Sequence, residues 1–400
     1  MGEDTHAAAR STSATGRRQI RPGRSRWALW LCTAAVPTLC HCALVKQARH
    51  LAEPLDGGGW LPPTVEYEDY ELKGLPVAGY TPESSLALGG LGVALKRPDP
   101  SIVGGRTSSI QLAGIYTLNG QQALKLEPDL YFAGGEYNLK GRLALVNGQD
   151  AYFGLGYATR ADDRENYDTA AVLADARLRR RISKNLHLGV HYELSARSIA
   201  PQQPSANLLR SAFGRDGGTL SGLGVEFAWD SRDNAFAATR GTYVQGLVTG
   251  FHRLLGSDFE FLRYRLDARH YLDLGKKNIL AFQGFWETLH GNVPFYALAR
   301  LGGSKHLRGI FRGRYRDKNL MLGQVEYRTP HWWRLGLATF AGVGQVHGDS
   351  GDFSLGGLKW SAGVGLRFLV DEEAGINVRA DFGVGPGGST GFYFTIGEAF

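Results

Sequence analysis

The chain has 400 residues, 55 of them glycine, and a negative mean hydropathy; beyond Val45 no apolar run is long enough for a spanning helix, which excludes a helical membrane protein for the main body. The formal charge is +7, but residues 1–26 carry six arginines against Glu3 and Asp4, or +4, which leaves +3 for the rest and gives no indication of a nucleic-acid partner. A β-barrel stays open, because alternation confines its apolar signal to every second residue.

Arg17, Arg18, Arg21, Arg24 and Arg26 precede an uncharged run from Trp27 to Val45. A basic stretch followed by an apolar one reads as a secretory signal over residues 1–45. An uncleaved anchor and a mitochondrial-type presequence are the alternatives. Cys32, Cys40 and Cys42 all lie in that run, so cleavage would leave no disulfide and no thiol chemistry, as suits passage through an oxidising periplasm. Residues 46–82 contain glycine and proline without a clean period and are expected to form a periplasmic lead-in.

From residue 83 to 400 the pattern is that of successive amphipathic strands. They are expected at 84–95, 107–118, 121–132, 138–147, 150–158, 170–182, 185–196 and 218–230, then at 241–253, 258–272, 277–290, 319–330, 334–347, 356–370, 375–384 and 390–400, sixteen in all. In the eighth, Leu223, Val225, Phe227 and Trp229 share one face and oppose Gly222, Gly224, Glu226 and Ala228. In the fifteenth, Ile376, Val378, Ala380, Phe382 and Val384 oppose Asn377, Arg379, Asp381 and Gly383. A soluble two-sheet sandwich would also alternate, but it requires neither so many aromatics on one face nor strands long enough for a tilted membrane span. An even count lets the first and last strands close antiparallel. Asn119-Gly120 and Asn147-Gly148 are tight-turn dipeptides, and long connectors (159–169, 197–217, 291–318) alternate with short ones. The final strand places Phe392, Phe394, Ile396 and Phe400 on one face, an aromatic outside suited to lipid.

Three segments resemble the BamA/TamA superfamily of outer-membrane assembly proteins, also called the bacterial surface antigen family. DSRDNAFAATRG, with Asp230, Arg232, Asp233, Asn234 and Gly241, is similar to the family's periplasmic turn after strand eight. Leu307-Arg308-Gly309-Ile310 resembles the Arg-Gly motif of its long sixth extracellular loop, and the strand count independently puts that connector between strands eleven and twelve. GQVEYRTP (323–330) and FAGVGQV (340–346) are similar to its inward-facing strand motifs. The resemblance implies a sixteen-stranded antiparallel transmembrane β-barrel with the sixth loop folded into the lumen, Arg308 meeting Glu326, and the C-terminal aromatics serving as a sorting signal. Charge complementarity makes the pairing reasonable, since a loop arginine inside a lumen needs an anionic partner. The chain also departs from the family. Gly342 stands where an acid would supply the second partner of Arg308, Ile310 replaces an aromatic, and residues 46–82 are too short for a periplasmic client-binding domain.

Enzymatic motifs are weak. GGSTG (387–391) matches G-x-S-x-G, but a barrel strand, not a helix, is expected to follow it, and the run reads as a hairpin. The histidines lack ligand spacing, so neither metal nor cofactor is expected; His252, His290, His306 and Ser304 leave a loop-borne hydrolase as a distant alternative. The resemblance implies a non-enzymatic function: a bacterial outer-membrane barrel assisting insertion or passage of proteins or lipids through a weak seam, here between the first strand (84–95) and the last (390–400). A passive pore or structural barrel is the main alternative, and the mitochondrial outer membrane the alternative location. Expected partners are outer-membrane lipids, client β-barrel or surface proteins, and the outer-membrane assembly machinery for its own insertion.

Overall fold

A computed structural model describes residues 65–67, 70–96, 107–203, 205–235, 237–371 and 376–400. The expected signal segment and most of the lead-in lie outside these residues. Sixteen strands form the barrel. The first eight are β1 (Tyr70–Thr81), β2 (Ser85–Lys96), β3 (Ser108–Thr117), β4 (Gln122–Phe132), β5 (Tyr137–Tyr152), β6 (Glu165–Arg181), β7 (Leu186–Pro201) and β8 (Gly217–Asp230). The second eight are β9 (Gly241–Phe251), β10 (Phe261–Asp273), β11 (Ile279–Gly291), β12 (Asn319–Arg328), β13 (Leu335–His347), β14 (Lys359–Asp371), β15 (Ile376–Val384) and β16 (Thr390–Ile396). Each pairs antiparallel with the next, and β16 meets β1 to close the sheet.

The polarity of the two faces decides the environment. Leu223, Val225, Phe227 and Trp229 of β8 are exposed, while Glu226 between them is 3% exposed. The same inversion runs through β10 to β15, where Arg263, Asp267, Glu287, Glu326, Arg367, Arg379 and Asp381 are buried beneath an exposed face of leucines and aromatics. A soluble sandwich would put its charges outside. Lipid around a polar interior explains the pattern, and pairing of each strand with its neighbours satisfies the edges that the bilayer cannot, except along the seam between β16 and β1.

The strand count is sixteen, as expected, but two boundaries differ and offset each other. Tyr70–Thr81 is the first strand, so the barrel begins before residue 83 and the strand expected at 84–95 is the second. Its signal changes sign in mid-strand: Tyr70 and Leu72 face outward and Glu71 and Lys73 inward, but then Gly74, Pro76 and Ala78 face outward and Leu75 and Val77 inward. The segments expected at 138–147 and 150–158 are one long strand, β5. Asn147 and Gly148 pair with Ala170 and Thr169 of β6 and make no turn, because β5 and β6 continue together past the membrane. Asn119-Gly120 does turn, with Gly120 at φ 76° and its N–H donating to Thr117 O.

The seam between β16 and β1 is thin. A single residue pair, Phe394 with Tyr80, joins them, whereas seven join β15 to β16. The seam therefore lies against Tyr70–Thr81 and not against residues 84–95. The last strand also stops short of its expected end at 400. Gly397 adopts φ 81°, a left-handed conformation, and turns the tail inward. Phe392 and Ile396 stay exposed on the outer face; Phe400 is buried with Ala399 against Ala238, Tyr271 and Ala281. Gly397→Val should cost about 1–2 kcal/mol by forcing a β-branched residue into that conformation, read as a lower temperature for loss of the heat-modifiable folded band, with Phe400 more accessible to carboxypeptidase.

Candidate functional site

Between β11 and β12 the chain makes a 27-residue connector, 292–318, that is anchored at two levels. Nearer its ends, Ala299–Leu301 and Tyr315–Asp317 pair as a small hairpin. Arg316, fully buried, donates to Ala151 O of β5 at 2.6 Å, and its guanidinium lies over the Tyr152 ring. Arg300 reaches Asp150 at 3.1 Å, and the same carboxylate accepts from the Tyr167 hydroxyl. Phe295 packs edge-on to Tyr167 and tilted on Tyr152. These contacts hold the base of the connector against β5 and β6.

The tip of the connector meets strands β12 to β16. Arg308 has no exposed surface; it donates to Glu326 of β12 at 2.5 Å and to Asp381 of β15 at 2.7 Å, and stacks 3.5 Å over the Phe340 ring of β13. Its carbonyl accepts from the Ser361 hydroxyl of β14. Gly309 takes φ 105°, and a Cβ there would lie 2.6 Å from the Gly383 carbonyl carbon, so the backbones of tip and β15 touch. Its N–H donates to the Tyr393 hydroxyl of β16. Gln324 accepts from Leu307 N–H and donates to Lys305 O. Ile310 is buried in the same cluster of apolar side chains as Leu307.

Arg308 is one of four arginines in a shared network. Arg367 of β14 bonds Asp381 at 2.6 Å, Glu398 at 2.9 Å and Glu326 at 3.2 Å. Arg328 bonds Glu326 at 2.7 Å and the Phe400 carbonyl at 3.0 Å. Arg379 bonds Asp381 at 2.5 Å and donates to Ser304 O of the tip. Four arginines thus share three carboxylates, and every member belongs to the connector tip, to β12, β14 or β15, or to the C-terminal tail. The second acid that Gly342 fails to supply is Asp381, reached from a different strand. Gly342 has its own effect: a Cβ would come within 2.6 Å of Leu307 Cδ2, so its bare backbone makes room for the tip.

Sequence reasoning named Arg308, Gly309 and Glu326, and these meet. It placed Arg379 and Asp381 on a polar strand face without linking them to the loop, and it missed Arg328 and Arg367 as partners, Phe340, Ser361 and Glu398. Their inward parity was the available signal; parity alone gives no neighbours.

The turn after β8 is a self-capped unit. Arg232 makes two bonds to Asp230, at 2.9 and 2.8 Å, and lies 4.4 Å over the Tyr243 ring. Burial opposes ionisation of Asp233, but the hydroxyl and amide of Thr239 and the amides of Arg240 and Asn234 outweigh it and hold that carboxyl below its usual range. Asn234 accepts from Ala237 N–H, and Gly241 takes φ 105° beside Ser231 O. Ala238 of this turn packs against Phe400, so the turn and the tail cover the same part of β10 and β11.

The hydrolase candidates do not converge. His252 bonds Leu254 N–H and lies 3.3 Å from Glu260, His290 stacks edge-on to Tyr264, and His306 lies on Phe285. Ser304 offers its carbonyl to Arg379. Gly387 and Gly388, at φ 64° and 74°, make a hairpin turn that leads into β16.

Inverted polarity, antiparallel closure and a charged interior define a transmembrane β-barrel of the bacterial outer membrane. The Omp85 superfamily domain matches residues 105–400, and the chain belongs to that superfamily. The fold is similar to BamA from Haemophilus ducreyi lacking POTRA domains 1–3 (TM-score 0.57, 14% identity, 83% of this chain and 70% of that one). It is also similar to CdiB from Escherichia coli (0.54, 11%, 88% and 69%) and to CdiB from Acinetobacter baumannii (0.51, 12%, 83% and 60%). By sequence, no curated protein matches the chain.

Removing one partner of a buried ion pair costs about 3–5 kcal/mol, and here the three remaining arginines soften the loss. Arg308→Ala should lower the unfolding temperature and make the connector cleavable by external protease. Arg308→Lys should rescue only in part, because an ammonium cannot bridge two carboxylates in a fixed fork while stacking on Phe340. Gly342→Leu should give the same cleavage with all seven charges intact; protection in both variants would mean that neither residue holds the tip.

Proposed function

We propose that this barrel assists the insertion or passage of other molecules at the outer membrane, working through the seam between β1 and β16. The single residue pair at that seam carries the reading. Elsewhere the sheet is continuous, so the seam is where the wall parts at least cost. Gly79 lies against it, with a Cβ position 3.0 Å from Phe394 O, and Tyr80 packs on Phe392 at 5.8 Å. Membership of the Omp85 superfamily supports the reading.

In this reading the connector folds into the lumen and its Arg308 tip braces the far wall. The network fixes β12, β14 and β15, and through Tyr393 it steadies β16 from inside. Opening at the seam then moves β1 and β2 away from a stiff β12–β16 wall. The C-terminal aromatics act as the signal by which the assembly machinery inserts the chain, with Phe392, Phe394 and Ile396 presented to lipid and Phe400 seated inside.

Tyr80 and Phe394 face each other across the seam, within the span a disulfide bridges. In the double variant Tyr80→Cys, Phe394→Cys, oxidation should deplete a defined set of outer-membrane proteins in quantitative proteomics, as deletion of the gene should, and reduction should restore them. If deletion removes only this protein, the barrel is a passive pore or structural wall, and the assembly reading falls.

A further inference from the structure

The lumen is filled unevenly. Along β8 to β15 the inward side chains are largely buried, covered by the connector and by one another. Along β1 to β3 they are only half-buried, and beyond Glu71, Lys73 and Gln111 they include an apolar group: Leu75 and Val77 of β1, Leu91 and Val93 of β2, and Ile115 of β3. Register aligns them, with Leu75 beside Leu91 and Gly89 between Val77 and Ile115. The outer face of the same strands is small only in its middle, with Pro76, Gly90 and Gly114 in one row and Gly74 beside Gly92, and is flanked by exposed Leu72, Leu88, Leu112 and Tyr116. A barrel wall normally turns its large apolar groups to lipid and its polar groups to water. Beside the seam large apolar groups stand on the inner face as well.

What faces that wall is cationic. Lys125 of β4, Arg142 of β5, and Lys305 and Arg312 of the connector have side chains that make no hydrogen bond among the described residues. Glu127 of β4 is their nearby unbonded carboxylate, within electrostatic reach of Lys305. Arg312 is tied to the top of the wall, since its N–H donates at 2.7 Å to Glu83 in the turn between β1 and β2. Asp150 and Glu83 offset it in part, while Arg300 and Arg197 add to the positive field there. The lumen here thus sets an apolar strip beside a surplus of positive charge, next to the edge where the sheet is held by one pair.

We propose that this half of the lumen binds a membrane lipid with an anionic head group, its acyl chain along Leu75, Leu91 and Val93 and its head at Lys305 and Arg312, admitted through the seam. The inference rests on the seam reading above and names a lipid as what passes or is held there.

The test uses the full chain in phosphatidylcholine nanodiscs, with spin-labelled phosphatidylglycerol or spin-labelled phosphatidylcholine as tracer. The expected result is a motionally restricted population selective for phosphatidylglycerol. Lys305→Ala with Arg312→Ala should reduce that selectivity about tenfold, Leu91→Asn with Val93→Asn should shrink the restricted population, and the oxidised seam disulfide should prevent loading. Heat-modifiable mobility reports whether each variant folds; should the apolar pair fail to fold, Leu91→Ala alone serves. Equal restriction of both lipids, or selectivity untouched by the cationic pair, overturns the proposal. Full displacement by inorganic phosphate would mean a bare anion site, and displacement only by an amphipathic strand peptide a protein client; either also overturns it. Proteomics of the deletion reports on assembly independently, so lipid selectivity without client loss would sink the functional reading and leave this one standing.

Discussion

Arg308 between Glu326 and Asp381 is the constraint on which the interior depends. A barrel in lipid must put its charges inside, and charges taken from water must find one another. Here they do so across the fold and not along it. The connector, three strands and the C-terminal tail each contribute to one network, so the positions of the tip, the wall and the chain end are set together. Phe340 and Gly342 provide the shape for this: one a ring beneath the guanidinium, the other a gap for Leu307.

The consequence is a mechanically uneven barrel. From β8 to β15 buried inward side chains make a stiff sector. At β16 and β1 the ladder falls to a single pair, and the strands beyond it carry glycine and proline outside and uncovered apolar groups inside. Local opening begins where few hydrogen bonds and little buried surface oppose it. The inner face of the same sector is less covered, and it meets the connector through Tyr393 and through the bond from Arg312 N–H to Glu83.

Relatives of this fold differ from it in nearly nine residues of ten, yet the architecture coincides over most of the barrel. A strand needs only its alternation to hold its place, which leaves most positions free to vary. The positions that cannot vary freely are those where backbones touch or charges meet, such as Gly309 on Gly383 and Arg308 on its two acids.

The sequence by itself determined the barrel and the parity of nearly every strand, because period-two alternation is a local property that lipid outside and water inside impose residue by residue; the count of sixteen agrees because the missed Tyr70–Thr81 offsets the division of β5 into two. It also placed the Arg308 connector between the eleventh and twelfth strands. Tyr70–Thr81 escaped because the outward Tyr70 and Leu72 are followed by outward Gly74, Pro76 and Ala78 with Leu75 and Val77 inside, so the local rule changes sign in mid-strand. Parity tells which face a side chain takes but not which strand's side chain it will meet. Only the closed sheet decided that Asp381 replaces the acid missing at Gly342, that Arg367 links three carboxylates, and that Phe400 turns from the lipid face to the interior at Gly397. Those outcomes depend on distances between segments far apart in the chain, which alternation does not encode.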